Sequence, residues 1–123
     1  MSEIEKIIRL ALIRLGIKCD TLGYNLITLA TVKVIENPKL TSNLTQLFTL
    51  VSKEVKTLTP FRIEANILNA ITYTFRKNGL VTFNELFGME IMKGDYKPST
   101  AEFLRLLAEY YNLGLYKQYK QSV

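Results

Sequence analysis

From residue 4 onward the apolar residues of this chain recur every three or four positions, and no two alternating segments are joined by a convincing turn; that spacing confines the chain to helices. Ile4, Ile7, Ile8, Ala11, Leu12 and Leu15 make one helical stripe. Ser2 and Glu5 are spaced as a capping box, in which the Ser oxygen accepts a first-turn N–H and the Glu reaches back, and Gly16 supplies a left-handed stop. The first helix is therefore expected over about 3–15. A second, over about 22–36, rests on Leu22, Leu26, Leu29, Ala30, Val32, Val34 and Ile35, and ends before Asn37-Pro38 because the residue preceding a proline resists αR geometry.

Leu44, Leu47, Phe48, Val51 and Val55 predict a third helix over about 43–56, with Thr41, Ser42 or Asn43 as its N-cap. The fourth starts after Thr59, with Pro60 at the first position, where its missing N–H costs nothing, and runs to Asn78-Gly79 with Ile63, Ile67, Ala70, Ile71 and Thr74 facing inward. Two more capping boxes, Thr82 to Glu85 and Ser99 to Glu102, open a short helix to Phe87 and a longer one to about Tyr111; Gly88 to Pro98 between them reads as loop. Met89-Glu90-Ile91-Met92 is too short to seed a sheet. The expected fold class is all-α: a compact bundle of about six helices forming a single domain over 1–123, with a basic, aromatic tail at about 115–123 that frays at its end.

Hydrophobic residues at 48% and charged residues at 22% are ordinary globular usage, so the chain should fold alone. Without His there is no imidazole base, no His-containing triad and no His-ligated metal, and the lone Cys19 can form neither an intramolecular disulfide nor a thiolate cluster. A lone Cys fits a reducing compartment, the N-terminus carries Glu3 and Glu5 where a signal peptide would carry bases, and Lys or Arg interrupts every apolar stretch short of about 18 residues. A cytoplasmic protein that neither spans nor enters the membrane is expected. The pairs Glu3/Glu5, Glu85/Glu90 and Glu102/Glu109 are accounted for by caps, helix dipoles and solvated faces, there is no Gly-rich phosphate loop, and the seven tyrosines suit amphipathic packing. No catalytic residue, metal or cofactor is expected, and the chain is not read as an enzyme.

A net charge of +5 favours a polyanionic partner without requiring one. Segment 43–78 narrows the choice: a short helix, the turn Thr57-Leu58-Thr59-Pro60 and a longer capped helix have the layout of a helix-turn-helix, although helical proteins also join packed helices this way. On the fourth helix Phe61, Arg62, Ala65, Leu68, Asn69, Thr72 and Arg76 point away from the core, with Asn66 and Tyr73 on one flank. In a major groove Arg reads guanine, Asn can pair bidentately with adenine and an Ala methyl meets a thymine methyl, which makes Arg62, Ala65, Asn66 and Asn69 the candidate base-reading residues. Lys53, Lys56, Thr59, Tyr73, Arg76 and Lys77 are the candidates for the phosphate backbone. Five bases set against Glu54 and Glu64 leave the segment at +3, a real but sparse charge. Phe61 and Leu68 do not fit a merely solvated face and are candidates for a protein interface.

The chain resembles the C-terminal effector domain of the stage-zero sporulation response regulator of endospore-forming Firmicutes over about residues 4–111. That family's recognition helix reads S-R-V-E-R-A-I-R-H-A-I, then an aromatic and an R-G-N stop. Here it is Phe61-Arg62-Ile63-Glu64-Ala65-Asn66-Ile67-Leu68-Asn69-Ala70-Ile71, then Phe75-Arg76-Lys77-Asn78-Gly79. Leu15-Gly16-Ile17, Gly23-Tyr24, Leu86-Phe87-Gly88, Lys97-Pro98 and Ala101-Glu102-Phe103 are shared landmarks in the same order. The resemblance implies a six-helix, helix-turn-helix fold that binds double-stranded DNA at tandem or paired sites, as a homodimer on DNA, and touches RNA polymerase through its sigma factor. Arg62 and Glu64 match the motif; Ala65, Leu68 and Asn69 replace two arginines and a histidine, which should change the sequence recognised and weaken phosphate anchoring. The parent regulator carries a phosphoacceptor receiver for which these 123 residues have no room, so phosphorelay control would have to come from a partner.

The reading that follows is a sequence-specific transcriptional regulator using the helix at about 60–78 in the major groove. Two others compete. An accessory factor of a mobile element would act with a site-specific recombinase, and a protein-interaction module that has lost DNA binding would use Phe61 and Leu68 as contacts. A promoter beside the bound site favours the first, an adjacent recombinase gene the second, and salt-insensitive partner binding without DNA retention the third.

Overall fold

The computed structural model describes residues 1–122, with side chains placed as far as Gln118. It contains α1 (Glu3–Arg14), α2 (Leu22–Glu36), a 3₁₀ turn (Pro38–Ser42), α3 (Leu44–Val55), α4 (Pro60–Lys77), α5 (Gly79–Phe87), α6 (Thr100–Asn112) and a second 3₁₀ segment (Leu115–Ser122). There is no strand among the described residues, and the fold is the expected all-α bundle of six α-helices. The expected fraying of the tail concerns side chains beyond Gln118 and Val123, which lie outside the described residues.

At the centre runs α2, packed against α1, α3, α4 and α6. It buries Gly23, Tyr24, Leu26, Ile27, Thr28, Ala30, Thr31 and Val34, so it is enclosed on most sides rather than along one stripe. A helix of that kind tolerates Val and Thr, because tertiary burial outweighs the small helix propensity they lack. Ile63, Ile67 and Ile71 of α4 are fully buried against this frame, and at roughly 1.5–3 kcal/mol for each such side chain they seat the helix without help from its outer face. At the other end Phe75 meets Phe83 and Phe103 with ring centroids 5.9 and 6.1 Å apart, joining α4 to α5 and α6.

Three local readings are corrected by the structure. Thr82 does not begin a helix: α5 starts at Gly79, directly after the Asn78 junction, and the Thr82 hydroxyl donates to the Asn78 carbonyl at 3.2 Å from within the first turn. The tight junction depends on Gly79 having no side chain, since a Cβ there would fall 2.7 Å from the Thr74 carbonyl oxygen. Asn37 caps a 3₁₀ turn over Pro38–Ser42 that the periodicity did not reveal. At Ser2 and Ser99 only one arm of each capping box forms: each Ser oxygen accepts the expected N–H, but the Glu5 carboxylate lies 3.9 Å from Arg9 and the Glu102 carboxylate accepts from Tyr96.

The position of α4 is set by a close crossing over α2. A Cβ built on Gly23 would lie 2.8 Å from the Ala70 Cβ and 3.4 Å from the Asn66 carbonyl oxygen, so Gly23 is the point at which the two backbones meet. We expect Gly23→Ala to cost about 1–3 kcal/mol in urea unfolding through overpacking. Adding Ala70→Gly opens the space again, so the pair should show a favourable coupling of roughly 1 kcal/mol or more in a double-mutant cycle. Strict additivity would place the contact elsewhere.

Candidate nucleic-acid interface

The turn between α3 and α4 is built from the chain's own polar groups. Lys56 ends α3 in the left-handed region at φ 70°, with its N–H donating to the Ser52 carbonyl at 2.8 Å, and the Ser52 hydroxyl reaches across the turn to the Leu58 carbonyl at 2.6 Å. Thr59 is extended and its Oγ1 accepts the Arg62 N–H at 3.2 Å, after which Pro60 starts the helix. The cap uses the Thr59 oxygen as acceptor only, so its hydroxyl proton is still available to a phosphate. Helix, four-residue turn and helix thus form a unit over residues 44–77, within one residue at each end of the 43–78 expected.

On α4, spacings of four and three residues sort the outward side chains into two rows. One holds Phe61, Ala65, Leu68 and Thr72; the other holds Arg62, Asn66, Asn69, Tyr73 and Arg76. Phe61, Arg62, Leu68, Asn69, Tyr73 and Arg76 are exposed, and Ala65 and Thr72 half-buried. Asn66 is half-buried, unlike the exposed members of its row. Its amide donates to the Arg62 carbonyl at 2.8 Å, and with Asn69 and Tyr73 it borders a hollow of about 440 Å³ under the loop that includes Gly16, Lys18 and Thr21. The Lys77 ammonium lies 5.7 Å from the centre of the Tyr73 ring, which places both on this flank.

Lys97 reaches the opposite edge, which the sequence did not indicate beyond its place in a landmark. Its Nζ donates to the Thr72 hydroxyl at 3.2 Å. The loop that carries it is pinned from three sides. The Asn84 side chain accepts the N–H groups of Ile91 and Met92 at 3.0 and 3.1 Å and donates to the Met92 carbonyl at 2.9 Å. Met92 and Pro98 are buried, and the Tyr96 hydroxyl donates to the Glu102 carboxylate. That hydrogen bond, with desolvation and the negative charge of Glu102 acting the same way, holds the Tyr96 phenol above its usual 10.0. Asn84, read from sequence as the interior of a capping box, is instead the clamp of this loop.

Glu54 bonds Lys33 at 2.8 Å, and so is engaged toward α2 rather than beside the turn. Among the described residues none of Lys53, Lys56, Arg62 or Arg76 has an acidic partner. Also among the described residues, no cluster of acidic or Cys side chains could hold a metal ion, and no helix is long and apolar enough to cross a membrane. The family described as "Sporulation initiation factor Spo0A C terminal" matches residues 6–111. The chain belongs to this family. Spo0A C-terminal domains are helical DNA-binding domains of a sporulation regulator, not enzymes, and DNA is the partner to which the family points. In this Spo0A-type domain the outward face of α4, the second helix of the helix-turn-helix, carries Lys77 beside Tyr73 on one flank and Lys97 on Thr72 at the other.

Two measurements check this geometry. Lys56 holds a left-handed conformation that disfavours any Cβ, and Lys56→Gly should raise stability by about 0.5–1 kcal/mol in urea unfolding while removing one cation; a loss of stability would mean that the Lys56 stem packs against the turn. Lys97→Ala should weaken binding to all duplexes alike and lower the slope of log K against log salt by about one. A slope that does not move would put Lys97 away from the phosphates.

Proposed function

We propose that this domain is a sequence-specific transcriptional regulator that inserts α4 into the major groove of its DNA site. The observation that carries this reading is the outer face of α4, which presents Arg62, Ala65 and Asn69 with no part in the core, beyond a capped helix-turn-helix turn. Arg62 suits a guanine edge and Asn69 an adenine, while Ala65 offers only a methyl contact to thymine. Asn66 stands at the margin of this surface, its amide committed to its own helix, and so contributes to base reading less than the other three. Lys53, Lys56, Thr59, Tyr73, Arg76, Lys77 and Lys97 would meet phosphates, fixing register without reading sequence.

With few such cations, non-specific affinity is modest and falls with salt, so base contacts must supply a large part of discrimination. Selection of bound duplexes from a random pool gives the site. On that site Arg62→Ala and Asn69→Ala should each cost roughly 1–3 kcal/mol and relax preference at one position, whereas Lys77→Ala should weaken all sequences alike. Equal effects of all three substitutions on selected and unrelated duplexes would remove α4 as the reading element.

A further inference from the structure

We infer that the row Phe61, Ala65 and Leu68 reads thymine methyl groups, so that this domain selects its site through the 5-methyl substituents of a short thymine cluster as well as through hydrogen bonds. The inference rests on α4 being the major-groove helix and adds what the apolar half of its face does there.

Phe61 is 78% exposed and Leu68 41%, although both stand on a helix whose inner Ile63, Ile67 and Ile71 are fully buried. Spacings of four and three residues align them with Ala65 on one side of α4, beside the row that holds Arg62, Asn69 and Arg76. At the far end of the apolar row Lys97 is fastened to Thr72. Arg62 and Arg76 border this row on one side and Lys97 at its end, while the exposed Glu64 stands on the other side, so the partner that fits is apolar over Phe61 and Leu68 and electronegative along one side and at that end. A DNA duplex offers both: its phosphates suit Arg76 and Lys97, a guanine edge suits Arg62, and the thymine methyl is the apolar feature that its major groove displays. From Phe61 to Leu68 the helix rises about 10 Å, which is roughly three base-pair steps. The methyls involved should accordingly fall within one short run of the site.

Deoxyuridine differs from thymidine only in lacking that methyl, which makes it the direct probe. Each thymine of the selected duplex is replaced singly, and affinity is measured for the parent protein, Phe61→Ala and Leu68→Ala. Removing one methyl from a close apolar contact should weaken the parent's binding by about three- to tenfold at two or three neighbouring positions. Each variant should bind the parent duplex more weakly and lose its response to uracil at one of those positions, with its unfolding midpoint unchanged. If no uracil substitution alters affinity by more than about twofold while Arg62→Ala still weakens the site, the row does not face the bases and the inference falls although the proposed function stands. Were Leu68→Ala to leave duplex affinity and the uracil response intact while dissolving a self-associated species in sedimentation, the row would belong to a protein contact instead. Failure to retain any duplex at low salt would overturn both readings.

Discussion

The close approach of α4 to α2 at Gly23 and Ala70 is the contact on which the position of α4, and with it the proposed recognition surface, depends. With no Cβ on Gly23, the backbone of α4 lies directly over the start of α2, and Ile63, Ile67 and Ile71 enter the core together. The outer face is thereby released from structural duty, because the inner three isoleucines already supply the burial that holds the helix. Since α2 also touches α1, α3 and α6, the orientation of α4 is tied to the whole bundle.

Around that helix the supporting groups are local and mostly polar. Ser52, Thr59 and Lys56 shape the turn before it, and Asn84, Tyr96 and Glu102 hold the loop that delivers Lys97 beside it. The Phe75, Phe83 and Phe103 cluster fixes α5 and α6 behind it, so that loop starts and ends on rigid elements. The proposed DNA-contacting surface is preorganised by hydrogen bonds within a few residues and by a shared core, and its outward groups are free of structural duty.

Much of this was legible in the sequence where physics is local. The period of three and four positions located the helices, Thr59-Pro60 marked the start of α4 to the residue, and the helical wheel separated Ile63, Ile67 and Ile71 from Arg62 and Asn69. What escaped depends on contacts distant in sequence or on geometry without a side-chain signature. Thr82 and Glu85 have capping-box spacing, yet the missing Cβ of Gly79 lets the helix begin four residues earlier than a Thr82 cap would. Lys97 lies 25 residues from Thr72 and no periodicity connects them. Lys56 takes a conformation usual for glycine, which residue type alone argues against. The layout of segment 43–78 suggested the helix-turn-helix and family likeness singled it out from ordinary helix packing, whereas the chain's own residues define the two rows on its face.

The central claim is that the outward face of α4, flanked by the turn and by Lys97, is where this domain meets the duplex. Mapping backbone amide NMR shifts during titration with a selected duplex tests it most directly, because every region of the bundle reports at once. The largest changes should fall at Lys56 to Thr59, Phe61, Arg62, Ala65, Asn69, Thr72, Tyr73, Arg76 and Lys97, with the outer side of α1 around Leu10 and Ile13 unaffected. Changes centred on α1, or on Val81 of α5 and Met89 just after it, with α4 silent, would contradict it.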